Sequence, residues 1–170
     1  TERRRLAMFE NTGILLAWMI EGSIREDEYV ENLALILAGC PRPANPSETS
    51  RVLNHFYDVQ RGGRGLTSPL GQLGFPAPDW ALGRQGRETN QYSLPDAREY
   101  QYQSLTASTR DARDKLTARF FRTLGHVLHI VEDMAQPQHT RNDPHAGCAS
   151  ALDPVVGGHS WYEEYVEDRT

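Results

Sequence analysis

Two imidazole–carboxylate pairs at one short spacing constrain this chain more than any other feature. His129 and Asp133 stand four residues apart, and so do His159 and Glu163. On an α-helix that interval puts both side chains on one face, near enough to share a cation. His139 lies between the pairs, just past Pro137, a residue expected to end the first helix. Imidazole and carboxylate are the ligands that suit zinc and its first-row neighbours. A lone His/Asp pair at this spacing is ordinarily a solvated helix contact. Two pairs with a third imidazole between them point instead to a metal centre inside a helical bundle. His126, one turn before His129, is read as a packed or supporting residue rather than a ligand.

The remaining pattern agrees with an all-α fold. Glu2 to about Glu21 reads as a helix, with Leu6, Phe9, Leu16, Met19 and Ile20 as its buried stripe and Gly22 as its stop. An acidic turn, residues 23–28, leads into a second helix, Glu28 to Leu37. Gly39 to Ser50 carries three prolines and is loop. Residues 61–88 are rich in Gly and Pro and read as a long ordered loop anchored by Phe75, Trp80 and Leu82, a length that usually signals function. Ser93 caps a helix with Pro95 in its first turn, running to about Thr106. Thr109 caps a longer one, Arg110 to about Met134, with apolar positions at Leu116, Phe120, Leu124, Val127, Leu128 and Val131. A loop from Arg141 to Gly158 precedes a final helix starting near His159.

A chain of 170 residues is most simply one domain, 1–170, large enough for a real core. The longest apolar run, Ile14 to Ile20, is too short to span a membrane. A formal charge of −5 opposes nonspecific coating of nucleic acid, so no obligate nucleic-acid partner is expected. It leaves room for a nuclease, because bound cations would supply positive charge where phosphate sits. Cys40 and Cys148 both sit in Pro/Gly-rich stretches, and one disulfide or two thiols fit equally well. The start at Thr1, without Met, suggests a processed or truncated product.

Several segments in order resemble the zinc-dependent phospholipase C and P1/S1 nuclease superfamily. They are Leu124-Gly125 leading to His129-x-x-x-Asp133, then Gln136-Pro137-x-His139, and His159-Ser160-x-Tyr162-Glu163. His55-Phe56-Tyr57-Asp58 is similar to the family's His-Phe-Tyr-Asp segment, and the likeness runs from about Gly22 to the C-terminus. It implies a helical bundle of the phospholipase C/P1 nuclease type with long ordered loops. It also implies one zinc on His55, His129 and Asp133, and another on His139, His159 and Glu163. An upstream carboxylate would be both ligand and general base: Asp27, with Glu26 as fallback. Glu at 163 is similar to the phospholipase branch, where the nucleases tend to have Asp. Asp133 is the expected bridge between metals, since a carboxylate has two oxygens to share, and Glu132 and Asp143 are candidate acceptors for imidazole protons facing away from metal.

The family's third metal uses an N-terminal Trp and a further upstream His. Residues 1–54 contain no histidine, and Trp18 falls within a helix. Those ligands are expected on a segment ahead of Thr1, which would leave this fragment inactive on its own. By resemblance the protein is secreted or periplasmic. Its substrate would be a phospholipid headgroup or other phosphodiester met by transient contact with a membrane surface, with no protein partner. Two other functions compete. A single-strand nuclease would need stacking aromatics near the metals, with Tyr57, Trp80, Trp161 and Tyr162 as candidates. A non-catalytic domain would use closed metal sites only to staple its helices.

Overall fold

A computed structural model describes residues 14–27, 51–68 and 71–143, together with 165 and 169. The expected first-helix positions Leu6 and Phe9, the second helix Glu28 to Leu37, both cysteines and the final helix lie outside the described residues. The described chain is mostly helical: α1 (Ile14–Glu26), α2 (Ala77–Ala81), α3 (Leu94–Thr106), α4 (Arg110–Asp133) and α5 (Pro137–Arg141). A two-stranded antiparallel ribbon, β1 (Thr67–Ser68) and β2 (Gly71–Gln72), pairs Thr67 with Gln72 and Ser68 with Gly71. Among the described residues no helix is long and apolar enough to cross a membrane. The chain divides into two compact units, Thr1–Glu26 with Asp79–Ile130, and Asp27–Pro78 with Val131–Thr170.

In the first unit α1 does not stop at Gly22 but continues to Glu26. Gly22 is a point of close approach: a β-carbon there would overlap the carbonyl of Arg122 on α4. Gly125 mirrors it, since a β-carbon there would overlap the carbonyl of Met19. Two glycines facing each other's backbones let α1 and α4 pack closer than side chains would allow. Leu16, expected in the buried stripe, is 48% exposed, and Ala17 takes the buried position instead.

The caps of α3 and α4 follow from local chemistry. The Ser93 N–H donates to the Asp96 carboxylate at 3.0 Å, and its hydroxyl donates to the same carboxylate. The Ala112 N–H donates to the Thr109 hydroxyl oxygen at 3.2 Å. The buried positions of α4, however, include Thr123, His126, Ile130 and Asp133, whereas Leu128 and Val131 are exposed. Those four lie at intervals of three and four residues, so the inner face of α4 is a helical stripe that is largely polar.

The second unit is held by backbone bonds between distant segments. The Tyr57 N–H donates to the His139 carbonyl at 2.9 Å and the Ala77 N–H to the Phe56 carbonyl at 3.0 Å. The Phe75 N–H donates to the Asn54 side-chain oxygen at 2.8 Å. Asp58 caps the turn Val59–Arg61, its Oδ1 accepting the N–H groups of Gln60 at 3.0 Å and Arg61 at 3.1 Å. The stretch 61–88 is thus more regular than a loop, holding the ribbon and α2; of its anchors Trp80 is buried and Phe75 and Leu82 half-buried. Pro137 opens α5 rather than only ending α4, which already stops at Asp133.

Candidate metal centre

Within the second unit, His55, Asp133 and His139 are all buried and offer ligand atoms within 4.8 Å of one another. His55 follows the turn Arg51–Asn54, Asp133 is the last residue of α4, and His139 sits in the short helix α5. Both imidazoles point Nδ1 at the same carboxylate oxygen: His55 at 2.9 Å and His139 at 3.4 Å from Asp133 Oδ2. Two ligands on one cation at about 2.0–2.2 Å lie roughly 2.8–3.6 Å apart. The His55 separation fits that range and is equally a hydrogen-bond length. The His139 Nδ1 separation is not a ligand–ligand distance, because that nitrogen faces a carbonyl oxygen and carries a proton.

His139 is oriented by the chain itself. Its Nδ1 lies 2.9 Å from the His55 carbonyl oxygen, an acceptor only, so Nδ1 carries the proton and donates. In the neutral ring the lone pair is then on Nε2. A backbone carbonyl holding the far nitrogen is the usual arrangement behind a metal-binding imidazole. Phe56 stacks on the His139 ring, with centroids 4.8 Å apart and planes inclined by 18°, and limits its rotation. The donor set and its support therefore fit a divalent cation.

Asp27, immediately after α1, is 63% exposed and places Oδ1 3.5 Å from His55 Nδ1. Its carboxylate faces solvent beside the buried His55 imidazole, which belongs to the cluster. Glu26, the fallback, is placed very differently. It is fully buried in the first unit, where its Oε2 lies 2.5 Å from His126 Nδ1 and its Oε1 accepts the Trp80 indole N–H at 3.1 Å. Tyr92 stacks on His126 at 4.1 Å between centroids, and the Arg122 guanidinium lies 5.3 Å from the Tyr92 ring centre. Glu26 is thus committed to structure. His126 is the packed residue its position suggested, but its partner was not foreseen, because 100 residues separate the two.

His129 is half-buried on α4, one turn before Asp133, on the part of the helix counted with the first unit. His159 and Glu163 lie outside the described residues. The suggested proton acceptors sit elsewhere: Glu132 is exposed, and Asp143 pairs with Arg141 at 2.6 Å. The carbonyl of His55 serves that role for His139, and a backbone acceptor leaves no trace in residue identity. Asp58, next to the His-Phe-Tyr stretch, is a turn cap. No family model, curated protein or solved structure matches the chain.

Proposed function

We propose that the protein is a zinc-dependent phosphodiester hydrolase of the phospholipase C type, acting on the headgroup ester of a phospholipid. The observation that carries this reading is the asymmetry of the His55–Asp133–His139 cluster, buried on three members and open at Asp27. A site that only staples helices is closed on all sides, whereas a catalytic one keeps a position for water or substrate.

His55, Asp133 and His139 would hold the cation. The resemblance groups them differently, implying His55 and Asp133 with His129 on one zinc and His139 with His159 and Glu163 on another. Such a cation, when bound, neutralises phosphate oxygens and brings the pKa of a coordinated water to about 7. Asp27, exposed beside His55, orients the attacking water and accepts its proton as general base. Asp133 brings one carboxylate oxygen to imidazoles from two chain segments and would serve as a ligand beside them. The His55 carbonyl and Phe56 hold His139 in one tautomer and one ring orientation. Phosphorus is attacked in line, and the diacylglycerol oxygen leaves with a proton from solvent.

A single-strand nuclease is less well supported, because Trp80 is buried and its N–H is committed to Glu26. The test is hydrolysis of a phosphocholine ester beside single-stranded DNA by zinc-loaded protein extended upstream of Thr1. The ester should be cleaved, with kcat falling about 10²–10⁴-fold in Asp27→Asn. Cleavage of DNA alone would move the protein to the nuclease class, and turnover of neither substrate would leave a metal-stapled domain.

A further inference from the structure

The second unit carries another polar concavity that the proposed hydrolysis does not use. Arg61, Arg64, Thr67, Gly71 and Gln72 line an open cleft of about 260 Å³ between the turn Val59–Arg61 and the ribbon. That is just below the roughly 300–1,000 Å³ of drug-sized pockets, and ample for a small polyatomic anion. In a chain of formal charge −5, two guanidinium groups and, among the described residues, no carboxylate line it.

We infer that this cleft binds a phosphate group, either free phosphate or the phosphomonoester of a small molecule. Arg61 and Arg64 are both exposed. Arg61 forms a long ion pair with Asp58, whose Oδ2 is 3.7 Å from Arg61 Nε, too far for a hydrogen bond, so the guanidinium N–H groups stay available as donors. The other Asp58 oxygen is occupied by the backbone N–H groups of Gln60 and Arg61. Among the described residues Arg64 makes no ion pair. Its backbone is nevertheless held, since the Asp58 N–H donates to the Arg64 carbonyl at 2.8 Å. Each guanidinium offers a planar fork of donors whose geometry matches phosphate oxygens.

Thr67 adds a neutral donor. Its backbone N–H donates to Asn142 Oδ1 at 3.0 Å, and its hydroxyl oxygen accepts from the Asn142 amide. The hydroxyl proton therefore remains to be given to a ligand. Gln72 gives one amide proton to the Gly74 carbonyl at 2.7 Å and keeps the other. The walls are tied down: Gly62, at φ 76°, closes the arginine turn in the left-handed region that glycine adopts without strain, and Asn142 pins the ribbon to the end of α5. A held backbone presenting two arginines and two neutral donors is a tetrahedral-anion site rather than a scatter of surface charge.

This inference is independent of the phosphodiesterase reading, because it needs no cation at His55, Asp133 and His139. The experiment is calorimetric titration of the chelator-treated protein with inorganic phosphate and with glycerol 3-phosphate, against chloride at matched ionic strength. Saturable one-to-one binding of phosphate is expected, with affinity falling about tenfold or more in R61Q/R64Q. R98Q, an exposed arginine on α3, is the control and should bind as wild type; circular dichroism of each variant verifies folding. Tighter binding of glycerol 3-phosphate would identify a phosphomonoester as ligand, and equal binding would identify free phosphate. No saturation beyond the chloride control, or equal affinity in R61Q/R64Q, would overturn the assignment.

Discussion

Each unit of this protein buries an imidazole against a carboxylate, and the two clusters differ in what surrounds them. In the first, Glu26 and His126 are both fully buried, the second Glu26 oxygen takes the Trp80 N–H, and Tyr92 covers the ring. In the second, Asp133 meets two imidazoles and the cluster opens to solvent at Asp27, 63% exposed. One residue type at one chemical task thus yields a sealed pair or an accessible site, according to whether a neutral donor or an exposed acid completes the shell. A sealed pair stabilises only while both partners are present, whereas the second cluster has an acid at its side that solvent reaches.

The comparison breaks most visibly at His126. His126→Ala removes the partner of a buried carboxylate and should cost about 3–5 kcal/mol in urea unfolding. Zinc binding per folded molecule should be unchanged. Asp133→Asn should do the converse: zinc affinity falls about 100-fold or more, roughly 2.7 kcal/mol by titration, while the chelated protein loses only about 1 kcal/mol of stability. Trp80→Phe deletes one hydrogen bond to a buried charge and should cost about 1.5–3 kcal/mol on unfolding, without effect on zinc. Asp27→Asn is the smallest perturbation to the fold. Being exposed, it should shift unfolding by less than about 0.5 kcal/mol, so any large loss of turnover would be chemical. Equal sensitivity of stability and zinc affinity in all four variants would erase the distinction between the clusters.

What the sequence made legible was local. Ser93 and Thr109 announce α3 and α4 because a cap acts within three residues of itself. The four-residue step from His129 to Asp133 is a helical interval, and α4 does span both. Gly22 was misleading for a tertiary reason: its missing side chain makes room for Arg122 on another helix, and nothing nearby in the chain signals that use. The choice between Glu26 and Asp27 was equally hidden. They are neighbours of like charge, yet one is sealed beneath Trp80 and the other faces water. Leu128 and Val131 were expected inside because they are apolar. The buried face of α4 instead follows Thr123, His126, Ile130 and Asp133, since pairing satisfies the polar groups that burial would otherwise penalise.

The claim on which the functional account rests is that His55, Asp133 and His139 together hold a divalent cation. Its most direct test is equilibrium zinc titration of chelator-treated protein, with wild type and Asp133→Asn measured side by side and bound metal counted by elemental analysis. Wild type should bind at least one zinc per chain saturably, and the variant should show a marked loss of affinity. Absence of saturable binding in wild type, or the same affinity and stoichiometry in both proteins, would contradict it.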